Sequence, residues 1–427
     1  MEERNLGRDM RDQAFRLNVL NGIFFAVVNA TVSPGTVLSA FFLKLFNSTF
    51  FATLPLALMN IGGLWPQLII SNVAEANERK KPFYAVAGVI RVVSLIIMTV
   101  CTFFLKKGQS WILISLIPFL YFIHSSGSGV CNLIWMDIVG KTVPANRRGS
   151  LMGTRGLLGG TLSFIAGFYV KYMLGDKGPG FPYSYGWLFI IGAVFQISAV
   201  SAFLRIPEPI TEIKTERPTF KKHIVQGLSI FKTDKDYRLL FFIRILNSIS
   251  TIGVMVFIPY ALKKLGLPES IVGVLMVIST CFALPSNILW SRIGDKYGNR
   301  LLMLIATIPY LLVPIIAIVS SYVPNVPLRI YDLRTVIFIA AYTLSAMTMN
   351  GRGIGDMNYL LDLAPEEKRP SYVAFMSVML APTALVPLIG GMIAELISFQ
   401  ATFIISFVFG LGGYMLVRKL DEPRQRA

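Results

Sequence analysis

Charge is scarce in this sequence: 15% of its residues are Asp, Glu, Lys or Arg, where a soluble domain carries about a quarter. That shortage removes an ordinary water-soluble globule from consideration. Sulfur and imidazole are scarce too, with three cysteines and two histidines in 427 residues. Cys101, Cys131 and Cys281 each fall inside an apolar run, where a thiol serves as a small filler rather than a disulfide partner or a metal ligand. No P-loop, no paired CxxC and no HExxH occurs, so the chain offers neither a nucleotide-driven motor nor a zinc site. No cofactor and no enzyme chemistry is expected. The first apolar run follows a mixed-charge segment, MEERNLGRDMRDQAFR, without a small-residue cleavage site behind a short core. It reads as a retained helix and not as a signal peptide.

Apolar residues fill the space instead. They make up 54% of the chain, and the mean hydropathy is +0.63. A helix needs about 20 predominantly apolar residues to cross the hydrocarbon core. Twelve stretches qualify: 17–43, 49–73, 83–105, 111–140, 150–174, 185–206, 237–263, 268–291, 299–322, 335–363, 371–396 and 399–418. Strands of a membrane barrel would be shorter and would alternate. The expected fold is an all-α membrane protein with twelve transmembrane helices, spans 1 to 12 in chain order.

A net charge of +17 would suit nucleic acid if the basic residues clustered, but they divide by side. Of the 40 Lys and Arg, 27 fall at the chain ends and the even-to-odd turns and 9 on the opposite turns. Four more, Arg91, Arg155, Arg244 and Arg352, lie inside spans. The positive-inside rule then puts both termini in the cytoplasm of a cell-membrane protein, with anionic lipid as the partner of the surplus charge and no nucleic acid. The longest hydrophilic stretch separates six spans from six. It divides the chain into a bundle over 1–206, a cytoplasmic linker over 207–236 and a second bundle over 237–427. Inside the linker Phe220, Ile224, Leu228 and Ile230–Phe231 share a face, as in an amphipathic helix lying on the membrane; a solvated linker is the equal alternative.

The two halves repeat one another. SNVAEANERKK from Ser71 sits in turn 2–3 where SRIGDKYGNRL from Ser291 sits in turn 8–9. PANRRGS from Pro144 matches PEEKRPS from Pro365, so that Arg148 falls on Arg369, and RLNVLNG of span 1 matches FIRILNS of span 7. Glu75 falls on Asp295, Pro144 on Pro365 and Asn21 on Asn247, at offsets of 220, 221 and 226 residues. A duplication with parallel halves is the mark of one large transporter class. Turn 8–9 resembles the cytoplasmic signature of the major facilitator superfamily, G-x-x-x-D-[R/K]-x-G-x-[R/K]-[R/K]. Asp295, Lys296, Gly298 and Arg300 occupy matching places; Ser291 replaces the first glycine and Leu301 the last basic residue. The first-half copy is more degenerate, with Glu75 for the aspartate, Glu78 for the second glycine and Arg79-Lys80-Lys81 as its basic end. Gly298 permits a tight reversal, and Asp295 suits a latch between halves through a helix N-terminus and a basic side chain.

An ionisable side chain inside a span is a functional candidate by default. Span 10 is richest, with Asn350, Arg352, Asp356, Asn358 and Asp362 in MTMNGRGIGDMNYLLDLAP. Arg352 and Asp356 are four apart and share a helix face, and Arg352 stands roughly 20 Å from the cytoplasmic end at 1.5 Å per residue. The resemblance implies that spans 1, 4, 7 and 10 line a central cavity, so this pair would face the solute; a structural ion pair is the alternative. Gly351, Gly353 and Gly355 weaken the helix between them, so that it could bend or let a ligand approach the backbone. Asp137 of span 4 is within reach of Arg91, Arg155 or Arg244. A charge network near the cytoplasmic gate is expected for Arg91 and Arg155, and a place in the cavity for Arg244. Asn21 and Asn247 are the polar pair that recurs in register. His124 reads as a packing residue, and GRGIGD, inside an apolar helix, is no dinucleotide fingerprint.

These residues imply a secondary active transporter that moves a small organic solute by alternating access. The arginine bias favours an anion or a zwitterion. A coupling proton or another ion would be a further partner, with Asp356, then Asp137, then Asp362 as its carrier, and a monomer is expected. Two alternatives stand beside this: efflux of amphipathic, drug-like compounds, and a non-transporting receptor or assembly factor on the same fold.

Overall fold

Backbone amides have no water to bond in a bilayer core, so a spanning chain satisfies them within helices. The computed structural model describes residues 7–75, 77–105, 111–209, 220–328 and 330–425, and they are helical almost throughout. Span 1 is α1 (Arg8–Thr31) and α2 (Val37–Phe46), broken at Pro34 as its missing N–H requires. Spans 2 to 6 are α3 (Thr49–Glu75), α4 (Lys81–Phe103), α5 (Trp111–Thr142), α6 (Ala145–Met173) and α7 (Tyr183–Leu204). The linker forms α8 (Phe220–Thr233). Span 7 is segmented into α9 (Lys235–Ser250), α10 (Ile252–Met255), α11 (Phe257–Pro259) and a wide turn at Tyr260–Lys264. Spans 8 to 10 are α12 (Ile271–Tyr297), α13 (Asn299–Tyr322) and α14 (Leu333–Leu363). Span 11 divides into α15 (Arg369–Leu380) and α16 (Val386–Leu396), and span 12 is α17 (Phe399–Val417).

Among the described residues, nine helical segments are long and apolar enough by themselves to cross a membrane. Spans 2, 5 and 10 are the long helices outside that set. Span 10 pays for its polarity with Arg352, Asp356 and Asp362, and span 5 carries Arg147, Arg148 and Arg155. The break between α9 and α10 has a local cause: Ser250 and Thr251 turn their hydroxyls back onto the carbonyls of Asn247 and Ser248, at 2.7 and 2.6 Å, which competes with the helical ladder.

The chain divides into two compact units. The first comprises Met1–Asn47, Leu54–Thr215 and Pro268–Thr280; the second comprises Ser48–Thr53, Glu216–Leu267 and Cys281–Ala427. In the first unit Tyr84, Cys131, Ile134, Ile138, Val200 and Phe203 form a buried cluster across α4, α5 and α7. Tyr84 stacks on Phe203 with ring centres 3.7 Å apart. In the second unit Tyr237, Leu240, Met303, Tyr359, Phe375 and Val417 do the same for α9, α13, α14, α15 and α17. The linker helix docks on that core: Ile230 is buried and Phe231 lies against Phe241 and Phe375. Leu228, placed on the same face by the sequence pattern, is 47% exposed; the side chains of Phe220 and Ile224 lie outside the described residues.

Each unit ties down one short helix-to-helix turn with a glutamate that precedes a proline. Glu208 accepts from the backbone amides of Lys80 and Lys81, at 2.5 and 3.1 Å, where α4 begins. Glu422 accepts from Arg300 N at 3.0 Å where α13 begins. Unpaired amides and the positive end of a helix both favour a carboxylate at that place. Gly298, with φ +91°, makes the reversal ahead of α13, and a Cβ there would stand 2.5 Å from Glu422 Oε2. Gly298→Ala therefore combines a left-handed strain of about 1–3 kcal/mol with a clash, and Glu422→Ala removes a cap worth about 1 kcal/mol. Both should lower the melting temperature of the purified protein, Gly298→Ala by more; equal melting of Gly298→Ala and wild type would contradict this account of the turn.

Candidate functional site

The second unit places the span 7 and span 10 candidates around one cavity of about 370 Å³. Arg244, Asn247 and Ser248 come from α9, and Arg352, Gly353 and Asp356 from α14. Arg352 is 5% exposed. One of its terminal nitrogens donates to Ser250 Oγ at 3.1 Å, and its guanidinium carbon lies 3.9 Å from the centre of the Tyr310 ring. Tyr310 is itself positioned by donating to Ser250 O at 2.9 Å. A face-on aromatic ring stabilises a desolvated cation by about 2 kcal/mol, which holds the arginine without neutralising it. Arg244 donates to the backbone carbonyl of Asp356 at 2.8 Å and not to its carboxylate.

The expected Arg352–Asp356 ion pair is not made. Among the described residues no salt bridge joins Asp356 to either arginine, and Asp356 Oδ1, Arg352 Nε, Arg352 Nη1 and Arg244 Nε have no hydrogen-bond partner. Sharing a helix face brought the two side chains to one cavity, while Tyr310 and Ser250 hold the guanidinium elsewhere. Two cations and one anion thus face a common space with bonding capacity to spare. Spacing alone gave no sign of this.

The span 10 glycines do not bend the helix, since α14 is continuous from Leu333 to Leu363. A Cβ at Gly351 would strike Trp290 and one at Gly355 would strike Met303, whereas Gly353 faces open space at the cavity. Asn350 and Asn358 do not line the cavity. Asp362 is bound up at the helix end, 2.7 Å from Asn299 Nδ2 and 2.9 Å from Arg424 Nε.

In the first unit, Asp137 pairs with Lys80 at 3.0 Å and Lys141 at 2.6 Å, not with the span arginines suggested as its partners. Arg91 and Arg155 make no charge network: neither has an ion pair with a described carboxylate. Arg155 donates to Asn18 O and to Asn21 Oδ1 at 2.6 and 3.3 Å, with its guanidinium carbon 4.5 Å from the Trp135 ring centre. Asn21 in turn donates to Ala199 O at 2.9 Å and to Tyr84 Oη at 3.3 Å. His124 is buried, with Nδ1 3.1 Å from Arg91 O, which suits a packing residue. The repeated asparagines therefore each border a cavity of their own unit, Asn21 in the first and Asn247 in the second.

The gating residues fare unevenly. Asp295 is exposed, and its side chain makes no hydrogen bond or ion pair with a described residue; its backbone carbonyl faces Arg424 at 3.5 Å. Lys296 lies over the Tyr297 ring at 4.9 Å. Arg300 donates to Arg418 O at 2.9 Å. Arg148 caps the end of α5, donating to Val143 O and Gly140 O at 3.1 and 2.7 Å, whereas its counterpart Arg369 pairs with Glu366 at 3.5 Å. Arg79 is exposed, and the Glu75 side chain lies outside the described residues. Glu208 and Glu422, absent from the sequence reading, carry the turns instead; the signal available was a Glu-Pro pair just beyond the last span of each half.

Comparison with known proteins adds three findings. Residues 240–427 match the family model of the Major Facilitator Superfamily. A stretch of 149 residues is 25% identical to a Staphylococcus haemolyticus (strain JCSC1435) protein named as a proline/betaine transporter, and covers 32% of this chain and 30% of that one. The chain thus aligns with about a third of that relative's length. In fold, it is similar to a variant of the nucleoside transporter NupG, with TM-score 0.70 and 14% identity over 96% of this chain and 99% of that chain. The D-xylose–proton symporter gives TM-score 0.69 and 14% identity over 97% and 98%. A bacterial homologue of the iron transporter ferroportin in its inward-facing state gives 0.70 and 13% over 96% and 98%.

The tyrosine's two contributions separate experimentally. Tyr310→Phe keeps the ring under Arg352 and should leave stability within about 1.5 kcal/mol of wild type, the net worth of one hydrogen bond. Tyr310→Leu removes the ring and should cost at least about 2 kcal/mol in thermal or denaturant unfolding of the purified protein. Equal losses for both substitutions would assign the effect to the hydroxyl.

Proposed function

We propose that this chain is a multi-pass transporter of the major facilitator superfamily, whose family model matches residues 240–427 and whose fold it shares with solved transporters, and that its solute is a small organic anion or zwitterion bound at the α9–α14 cavity. The observation that carries the reading is the set of unsatisfied charges there: Arg244 and Arg352 beside Asp356, in one space of about 370 Å³, without an ion pair between them. An anionic group accepts the arginine fork in two-point geometry. An ammonium or quaternary nitrogen, if the solute has one, lies against Asp356. Asn247, Ser248 and Thr251 supply neutral hydrogen-bonding groups for orientation. The relative named as a proline/betaine transporter is consistent in kind, because both compounds are zwitterions.

Transport proceeds by alternating access, for which the ferroportin homologue solved in inward- and outward-facing states is a precedent in the same fold. Of the carboxylates considered as proton carriers, Asp137 and Asp362 are held in ion pairs. Asp356 faces the cavity unpaired and is the carrier we assign if transport is proton-coupled. We place the protein in the cell membrane as a monomer, with both termini cytoplasmic, an orientation that the basic even-to-odd turns support.

Efflux of amphipathic compounds is a second reading, favoured by an apolar cavity of about 560 Å³ in the first unit bordered by Trp65, Phe83, Ile90 and Phe122. Uptake of labelled proline and glycine betaine into proteoliposomes, alongside a thermal-shift screen that includes lipophilic cations, separates the two. Arg352→Gln should cut zwitterion uptake at least tenfold, and Asp356→Asn should impair zwitterions more than simple monoanions. Stabilisation by lipophilic cations that is indifferent to Arg352→Gln would remove the anion reading and put efflux first.

A further inference from the structure

The first unit holds two guanidinium groups for which the α9–α14 cavity has no use. Arg91 of α4 is 3% exposed, and its Nε has no hydrogen-bond partner. Arg155 of α6 lies across the Trp135 ring. Both border a single cavity of about 210 Å³, together with Asn21, Ser128, Asn132 and Trp135. Among the described residues, no carboxylate borders it. The acid on α5, Asp137, is taken by Lys80 and Lys141, and Glu208 by the backbone amides of Lys80 and Lys81.

The neighbouring helices make room for these arginines. A Cβ on Gly22 would stand 2.5 Å from Arg155 Nε, and one on Gly127 would stand 2.6 Å from Arg91 Cγ. Arg91 passes over the Phe25 ring with its guanidinium carbon 5.1 Å from the ring centre. Aromatic faces and glycine notches position the two cations without supplying a counter-charge. Buried charge of one sign in a membrane protein calls for a partner of the other sign.

We infer that this cavity binds a small dicarboxylate. A dianion matches the two positive charges, and each carboxylate accepts the planar N–H fork of one arginine. Ser128 and Asn132 donate to the remaining oxygens of the solute, and the volume suits a short carbon chain. The inference builds on the reading of the chain as an organic-solute transporter, but the site shares no residue with the α9–α14 cavity, so each can fail alone.

The test is binding of succinate, proline and inorganic phosphate to the purified full chain, followed by thermal shift and by tryptophan fluorescence. Trp135, against Arg155, is the local reporter of the fluorescence response. Succinate should bind at least tenfold more weakly to Arg91→Gln and Arg155→Gln, and with unchanged affinity to Arg352→Gln. Arg155→Lys, which keeps the charge and loses the fork, should fall between. Should an arginine variant fail to fold, Gly22→Ala, which displaces the Arg155 guanidinium, carries the test with an expected weakening of at least threefold.

Absence of succinate binding to the wild type, or binding indifferent to Arg91→Gln, Arg155→Gln and Gly22→Ala, overturns the inference. Phosphate bound more tightly than succinate, with the same dependence on the two arginines, overturns the dicarboxylate assignment. Succinate lost only in Arg352→Gln sinks this site and leaves the α9–α14 reading standing. Proline binding untouched by Arg352→Gln, with succinate dependent on Arg91, does the reverse.

Discussion

An ionised group inside the hydrocarbon region costs free energy unless it is paired, hydrogen-bonded or wet, and that cost organises this protein. Most of its charges avoid it by lying at turns and ends. Those that stay within the spans divide into two kinds. Asp137 with Lys80 and Lys141, and Asp362 with Arg424 and Asn299, satisfy one another near the helix ends. Arg91, Arg155, Arg244, Arg352 and Asp356 do not, and all five border cavities. The charges left incomplete are thus the ones that a ligand can reach.

What holds those charges is apolar and neutral. Tyr310 lies under Arg352, Trp135 under Arg155 and Phe25 under Arg91. A ring face stabilises a cation while leaving its N–H fork available, which a carboxylate partner would not. Glycines do the complementary work: Gly22 and Gly127 clear the path of an arginine stem, and Gly353 keeps one wall of the α14 cavity open. The same residue type that reads in a sequence as a weak point in a helix acts here as space for a neighbour.

The turns that carry the repeated motif are held by backbone capping. Glu208 and Glu422 come from beyond spans 6 and 12 and accept amides at the starts of α4 and α13. The motif aspartate, Asp295, is exposed, while Gly298 and Arg300 adjoin the capping glutamate. Sequence proximity favours reading a motif as self-contained. Its partner, however, lies more than a hundred residues along the chain, and only the return of span 12 brings it close.

The number of spans and their helical nature were legible in the sequence, because both rest on a local property, the length of an apolar run. So was the list of buried charges. What the sequence could not determine was which of those charges neutralise one another. Arg352 and Asp356, four residues apart, looked like a pair, and Tyr310 and Ser250 from other helices keep them from being one. Arg91 and Arg155 looked like parts of a gate network, and glycines and rings on α1 and α5 seat them beside a cavity that no described carboxylate borders. Helical spacing states which side chains share a face. Whether that face meets a carboxylate, a ring or an empty space depends on the helix packed against it, and tertiary structure alone decides that.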